Sequence, residues 1–231
     1  LDNGDDQQSG RVHQERQNIL ISSSSNIVGE RMIYLEKVFR YNYPFSMVVF
    51  VHGKGGNIGE AEAFRSVFPD EEFLSLDYHS TTPWEFRREV RSLLGDIKDF
   101  TLIAISIGAY FFLSSGLSDR VKEAFFISPV SDMEKLILGM MEYSGVTEEE
   151  LKEKGNIGEL SYEYLTYARS HRMEWNVKTH AIAGSLDEVM DISITRKIFP
   201  DLTVLEGSYH YLHTPEEKRM IVEWMKSKAR R

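Results

Sequence analysis

The sequence predicts an α/β fold: a doubly wound, mostly parallel sheet with helices on both faces. Short apolar runs recur from residue 47 onward without polar alternation, which is typical of strands that are buried on both faces. Helix start signals lie between these runs. Thr82–Glu85 and Thr214–Glu217 each combine a threonine cap, a proline and a glutamate at the third position after the cap. Alternation of such strands and helices predicts a sheet covered by helices on its two sides.

The strands and helices can be placed in order along the chain. The predicted strands are an antiparallel lead-in pair, Asn18–Ser22 and Arg31–Glu36, followed by Met47–Val51, Phe73–Leu76, Thr101–Ile105, Ala124–Ile127, His180–Ala183 and Leu202–Leu205. The predicted helices run from Thr82 to Gly95, over Ile107–Ser115 and Ile192–Phe199, and from Thr214 through Met225. We expect residues 1–17 to be a polar leader outside the fold and residues 18–231 to form one domain.

One segment interrupts the alternation of strands and helices. Residues 131–172 show only helical patches, at Asp132–Tyr143, Thr147–Lys154 and Glu159–Ser170, and no predicted strand. The segment is rich in methionine and tyrosine, side chains that suit an adaptable apolar wall. The sequence therefore predicts a short helical cap over a pocket, although many of the same side chains would serve to pack the insertion on the domain.

Composition narrows the range of partners. The 231 residues carry 27 basic and 36 acidic side chains, a formal charge of −9, which argues against a nucleic-acid or anionic-membrane surface. Cysteine is absent, so disulfides, a thiolate nucleophile and a sulfur-ligated metal are excluded. No apolar run approaches the roughly 20 residues that span a bilayer, and the polar start lacks a signal-peptide layout. We expect a cytoplasmic protein that acts on a small molecule; composition does not indicate its oligomeric state.

Ser106 lies where an apolar strand turns into a helix. The run Leu102–Ile105 precedes it, and the apolar stretch Ala109–Leu113 begins three residues after it. Such a sharp turn strains the serine backbone and brings the residues two before and two after the serine nearly into contact, so both must be small. These residues are Ala104 and Gly108. The pattern predicts a serine nucleophile, although small-x-Ser-x-Gly also arises by chance.

A serine hydroxyl needs a base to remove its proton and an acid to orient that base. Asp187 and His210 each follow a predicted strand by a few residues. Because parallel strands end at the same edge of a sheet, the sequence predicts that these two side chains meet the serine there. Glu188 is the second choice for the acid. His213 is a weaker choice for the base, because it already approaches the start of the last helix.

A glycine-rich loop follows the first buried strand. Residues 52–57 read His-Gly-Lys-Gly-Gly-Asn, where a backbone without side chains can approach a ligand closely. We assign the backbone N–H groups of Lys54 and Ile107 as the donors for a developing oxyanion. A nucleotide site is disfavoured, because no Gly-Lys-Ser/Thr follows and the dinucleotide spacing of glycines is missing. His52 is interpreted as a loop anchor and His79 as a residue of the pocket wall.

The chain resembles the α/β-hydrolase superfamily in four motifs: His52-Gly53, Ala104-x-Ser106-x-Gly108, Gly184-Ser185-Leu186-Asp187 and Gly207-x-x-His210. The resemblance covers nearly the whole chain from about Ile19 onward, and Ala104 departs from the glycine that is usual at its position. It implies Ser106 as the nucleophile, Asp187 as the acid, His210 as the base and residues 131–172 as the cap.

The resemblance predicts a serine hydrolase, most simply a carboxylesterase, that cleaves a small to medium acyl ester through an acyl-enzyme. We expect Met140 and Tyr143 of the cap to line the substrate pocket together with His79, and we expect neither a metal nor a cofactor. Thioesterases, peptidases and C–C bond hydrolases use the same residue types on this fold and are alternatives. A non-catalytic binding protein of the same fold is a further alternative.

Overall fold

The computed structural model describes residues 46–171, 173 and 175–229. The expected leader 1–17 and the predicted lead-in strands Asn18–Ser22 and Arg31–Glu36 lie outside the described residues. The described strands are β1 (Met47–Val51), β2 (Glu72–Ser75), β3 (Phe100–Ile105), β4 (Val121–Ile127), β5 (Asn156–Ile157), β6 (Leu160–Ser161), β7 (Thr179–Gly184) and β8 (Leu202–Leu205).

Six of these strands form one parallel sheet, in the order β2-β1-β3-β4-β7-β8. All six were predicted from their apolar runs; the largest difference is that β4 begins at Val121 rather than Ala124. β2 and β3 flank β1 on its two sides, so the connection after β1 leads to one side of the sheet and the connection after β2 leads to the other. The strand order therefore reverses between β1 and β3. Ligands of open parallel sheets bind outside the carboxyl ends of the strands at such a point.

The helices cover both faces of this sheet, as predicted. They are α1 (Pro83–Leu94), α2 (Ile107–Leu113), α3 (Met133–Ser144), α4 (Glu148–Lys154), α5 (Tyr162–Ser170), α6 (Ile192–Ile198) and α7 (Pro215–Ala229), with 3₁₀ segments at Ile58–Phe64 and Ser118–Arg120. On one face, Phe50 and Phe125 share a buried cluster with Phe64 of the first 3₁₀ segment and Trp224 of α7. On the opposite face, α2 packs against β1 and β3, and α1 packs against α2.

The helix start signals also act as predicted. Thr82 caps α1 by accepting the Glu85 backbone N–H, and Gly95 ends the helix at a φ of +52°. Thr214 and Glu217 bond reciprocally at the start of α7, where Thr214 Oγ1 accepts the Glu217 N–H and the Glu217 carboxylate accepts the Thr214 N–H. Within the described ranges, no helix is long and apolar enough to cross a bilayer.

The prediction that residues 131–172 contain no strand is wrong. Within this cap segment, β5 and β6 form an antiparallel hairpin in which Ile157 pairs with Leu160. A two-residue turn joins them, and its first residue, Gly158, holds a φ of +59° that a glycine adopts without steric cost. The strands are too short to show a period in the sequence. As a result, α5 begins at Tyr162, capped by Ser161, rather than at Glu159.

Candidate active site

Ser106 occupies the sharp turn that the sequence predicts between β3 and α2. Its φ is +51° and its ψ is −121°, a strained conformation for a residue with a side chain. The turn brings the start of α2 against the loop after β1, because a Cβ on Gly108 would lie only 2.2 Å from the carbonyl oxygen of His52. Ala104 is fully buried beneath the turn. The turn therefore presents Ser106 at the carboxyl edge of the sheet.

A second strained turn holds the backbone of Ser106 in place. The Ser106 N–H donates to the carbonyl oxygen of Ile127 at 2.9 Å, and the Ser106 carbonyl accepts the N–H of Val130 at 3.1 Å. Ser128, between these two partners, has a φ of +44° and a buried hydroxyl without a hydrogen-bond partner among the described residues. Two residues with strained backbones thus directly follow the neighbouring strands β3 and β4, and strain of this kind concentrates at functional sites.

The structure brings the three predicted side chains together. Ser106 Oγ lies 2.8 Å from Nε2 of His210, and Nδ1 of His210 lies 2.9 and 3.0 Å from the two carboxylate oxygens of Asp187. An ionised carboxylate can only accept, so Nδ1 carries the proton and Nε2 is left to accept the serine hydroxyl. The histidine and aspartate side chains are only 3% and 1% exposed, so little water competes for these bonds.

The loop after β7 orients the Asp187 carboxylate. Its Oδ1 atom accepts the backbone N–H groups of Val189 and Met190, at 2.9 and 2.8 Å. The loop can come this close to the next strand connection because Gly184 has no side chain; a Cβ there would lie 2.1 Å from the carbonyl oxygen of Ser208. Backbone donors on one side and the imidazole on the other leave the carboxylate a single orientation.

The alternative residues Glu188 and His213, and the neighbouring acid Asp191, have other partners. Glu188 accepts the backbone N–H of His210 at 3.2 Å and so contacts the main chain of that residue rather than its ring. Asp191 caps α6, and its ion pair with Lys135 at 2.8 Å helps to hold the pKa of that carboxyl well below its usual range. His213 places Nδ1 at 2.7 Å from the Tyr211 carbonyl oxygen. The geometry therefore favours Asp187 and His210 as partners of Ser106.

The glycine-rich loop lies against Ser106. A Cβ on Gly53 would lie 3.3 Å from the Cβ of Ser106, and the loop turns where the Gly56 N–H donates to the Gly53 carbonyl at 3.1 Å. Among the described residues, the backbone N–H groups of Lys54 and Ile107 donate to no acceptor. Both N–H groups are therefore without a protein acceptor in this part of the chain.

His52 anchors the glycine-rich loop, as predicted from the sequence. Its Nδ1 donates to the Gly53 carbonyl at 2.9 Å, and its ring stacks on Tyr78 with centroids 4.3 Å apart. The Tyr78 hydroxyl donates in turn to the His52 carbonyl at 2.7 Å, and burial raises the pKa of that hydroxyl. The tyrosine therefore stays protonated and keeps the loop after β1 in position.

A cavity of about 460 Å³ opens at Ser106 and His210. Its floor is apolar and includes Phe64 of the first 3₁₀ segment and Ile221 of α7. Charged side chains occupy its rim: Lys54, Glu60 and Lys218. No sequence pattern predicted that Phe64 and Ile221 line one cavity, because they lie on elements far apart in the chain. Within the described ranges, no three His, Asp or Glu side chains converge as metal ligands.

The predicted substrate-binding residues are not at this cavity. Met140 and Tyr143 line a separate cavity of about 1060 Å³, which lies between α3, the β5–β6 hairpin and residues 187–191. Tyr143 is 96% exposed. His79 is exposed and lines neither cavity, and its backbone N–H donates to Glu89 at 3.1 Å. A substrate role for these three residues stays a prediction, and their placement does not favour it.

The chain is similar to solved structures, while no protein-family model and no curated protein matches its sequence. The mouse alpha/beta hydrolase domain-containing protein 10 is 16% identical over 78% of this chain and 88% of its own, with a TM-score of 0.61. A monoacylglycerol lipase from Paleococcus ferrophilus is 16% identical over 79% and 96%, with a TM-score of 0.53. A predicted CIB-like hydrolase from Thermoplasma acidophilum is 14% identical over 82% and 89%, with a TM-score of 0.51. At these identities the likeness is one of fold.

Proposed function

We propose that this chain, which has the α/β-hydrolase fold, is a serine hydrolase that cleaves a small to medium acyl ester through an acyl-enzyme. One observation carries the proposal: the unbroken hydrogen-bond chain from Ser106 Oγ through the His210 ring to the Asp187 carboxylate. A serine, a histidine and a buried carboxylate in this order are the parts that nucleophilic acyl transfer requires.

In the acylation step, Ser106 Oγ attacks the carbonyl carbon of the ester while His210 Nε2 takes the serine proton. Asp187 keeps the imidazole in the tautomer that can accept this proton and stabilises the imidazolium that forms. The imidazolium then gives its proton to the oxygen of the leaving alcohol, and the C–O bond of the ester breaks. The acyl group is left on Ser106.

The two free amides act on the charge that develops in this step. The carbonyl oxygen becomes an oxyanion in the tetrahedral intermediate, and we assign the N–H groups of Lys54 and Ile107 as its donors, because neither donates to another acceptor among the described residues. Both donors belong to the backbone, so they need no rearrangement when the charge forms. The lysine side chain is not required for this role.

Hydrolysis of the acyl-enzyme repeats the same proton transfers with water in place of the alcohol. His210 takes a proton from water, the resulting hydroxide oxygen bonds to the acyl carbon, and the proton then returns to Ser106 Oγ as the acid leaves. The 460 Å³ cavity with its apolar floor has room for a short acyl chain. This volume supports a small to medium acyl group.

A fluorophosphonate probe tests the nucleophile, because only an activated serine is phosphonylated. We expect one label, located on Ser106 by peptide mass spectrometry, and hydrolysis of 4-nitrophenyl acetate and butyrate. Ser106→Ala should abolish the labelling and the ester hydrolysis. Ser170 is an exposed serine on α5, and Ser170→Ala should leave the labelling and the hydrolysis unchanged. Labelling at another residue, or ester hydrolysis that survives Ser106→Ala, would overturn the proposal. A thioester and an anilide of the same acyl group distinguish thioesterase and peptidase activity from esterase activity.

A further inference from the structure

The rim of the Ser106 cavity carries a lysine that has no acidic partner in the described part of the chain. Lys218 lies in the second turn of α7, and its side chain lines the cavity. Ile221, three residues later, lines the same cavity, so both side chains project from one face of the helix. The ammonium group of Lys218 is thereby placed on the same cavity as the hydroxyl of Ser106.

The acids nearest to Lys218 in the chain are already engaged. Glu216 pairs with Arg219 at 3.6 Å, and Glu217 accepts the backbone N–H and the hydroxyl of Thr214 at the helix start. The other lysine of the rim, Lys54, is paired with Glu159 at 2.8 Å. Lys218 is therefore the rim cation that is left available to a ligand among the described residues.

The cavity rim also carries one carboxylate, Glu60, and no ion pair joins it to Lys218 in the described part of the chain. Glu60 lies on the first 3₁₀ segment, and its carboxylate sits beside the glycine-rich loop; a Cβ on Gly56 would lie 2.9 and 3.0 Å from its two oxygens. An anionic group of a ligand is repelled from that side. It is attracted to the α7 side, where the lysine stands near the positive end of a 15-residue helix.

We propose that the Ser106 cavity takes an ester that carries a second, anionic group, and that Lys218 binds this group. The inference rests on the proposed esterase function and names its substrate class: a short apolar segment between the ester carbonyl and a carboxylate-like end. The apolar floor, with Phe64 and Ile221, accommodates the segment, and the ammonium at the rim accommodates the charge. The anion belongs either to the acyl chain or to the leaving group.

Three matched esters test the inference. Phenyl hexanoate is neutral, monophenyl adipate carries a carboxylate at the end of an acyl chain of the same length, and 4-(hexanoyloxy)benzoate carries it on the leaving group. We expect a lower KM for at least one anionic ester than for phenyl hexanoate. Lys218→Gln should raise that KM about three- to fivefold, the effect of losing one partly exposed charge pair. Lys218→Glu should raise it further.

Two further variants sharpen the test. Glu60→Gln should lower the KM of the anionic ester, because it removes a like charge from the rim. Arg219→Gln is the control: it removes a neighbouring exposed cation of α7 that does not line the cavity, and all KM values should stay unchanged. In Lys218→Gln, Lys218→Glu and Glu60→Gln, the KM for phenyl hexanoate should change less than the KM for the anionic ester, because an uncharged ester has no charge pair to lose.

Equal changes of KM for the neutral and both anionic esters in Lys218→Gln and Lys218→Glu would overturn the inference and leave the esterase proposal intact. Failure of the esterase proposal has a different signature, since then Ser106 takes no fluorophosphonate label and none of the three esters is hydrolysed; that outcome overturns both. The salt dependence gives an independent readout: the preference for the anionic ester should shrink as ionic strength rises, because salt screens an exposed charge pair.

Discussion

A Cβ on Gly108 would lie 2.2 Å from the carbonyl oxygen of His52, closer than any real contact of that kind. The start of α2 is therefore packed directly on the backbone of the loop after β1, with no space for a side chain between them. We expect Gly108→Ala to destabilise the protein by about 1–3 kcal/mol, the usual cost of overpacking, and to lower kcat at least tenfold by displacing the Lys54 amide. Urea denaturation and ester hydrolysis measure the two effects.

Gly139 provides the matched control. It lies inside α3, and a Cβ there meets nothing within 4 Å. Gly139→Ala should therefore stabilise the protein by about 0.5–1 kcal/mol through helix propensity alone, with esterase activity unchanged. A Gly108→Ala variant as stable and active as Gly139→Ala would contradict the close packing of α2 on the loop.

A second prediction separates the two carboxylates near His210. Asp187→Asn should lower kcat by a factor on the order of 10³–10⁴, because an amide in that place favours the wrong imidazole tautomer. Glu188→Gln keeps an oxygen that can still accept the His210 backbone N–H, so we expect less than about a tenfold loss in kcat from exchanging this acceptor. Steady-state kinetics on 4-nitrophenyl butyrate distinguishes the two carboxylates. Equal losses of kcat in the two variants would rule out Asp187 as the specific partner of the imidazole.

A third prediction concerns the floor of the Ser106 cavity, where we propose that the acyl group binds. Ile221→Val removes one methyl group from the floor of the Ser106 cavity, which weakens contact with a chain that reaches it by up to about 0.8 kcal/mol. The ratio of kcat/KM for butyrate to that for acetate should therefore fall in this variant and stay unchanged in Met140→Ala. A ratio that responds to Met140→Ala and not to Ile221→Val would instead place the acyl chain in the larger cavity, which Met140 lines.

A fourth prediction concerns the stability at low pH. His180 of β7 lies between Asp201, which also accepts Lys228 Nζ at 2.5 Å, and Glu123 at 3.1 Å. Burial alone would raise the pKa of Asp201, but the hydrogen bonds from Lys228 and His180 outweigh it and hold this pKa below its usual value.

The sign of the pH effect follows from this lowered pKa. The carboxylate contributes stability above its unfolded-state pKa of about 3.9, and that contribution is lost as pH falls through the lower folded-state value. Asp201→Asn should therefore be less stable at pH 7, by under about 1 kcal/mol because the group is partly exposed. It should also lose less stability than the wild type between about pH 5 and pH 2. Unfolding free energies measured across this pH range test the prediction. Asp70 is exposed, and Asp70→Asn serves as the control.

Much of the fold follows from signals that lie within a few residues of each other. Unbroken apolar runs predict the six strands, and the Thr-Pro-x-Glu patterns predict the starts of α1 and α7, because both depend on local backbone preference and local burial. The small residues around Ser106 predict its strained turn for the same reason. Asp187 and His210 could be placed with it because parallel strands end at one edge of a sheet.

The tertiary structure alone decides what surrounds these residues. Phe64 and Ile221 lie on elements far apart in the sequence, and they share the floor of one cavity only because both elements pack on the same face of the sheet. The same packing places Lys218 at the rim and leaves Met140 at a different cavity. The sequence by itself determined where the strands end, because local patterns encode burial and backbone preference, and the common edge of a parallel sheet then predicted that Ser106, Asp187 and His210 lie together. The walls of the pocket depend on contacts between distant elements, which no local pattern encodes.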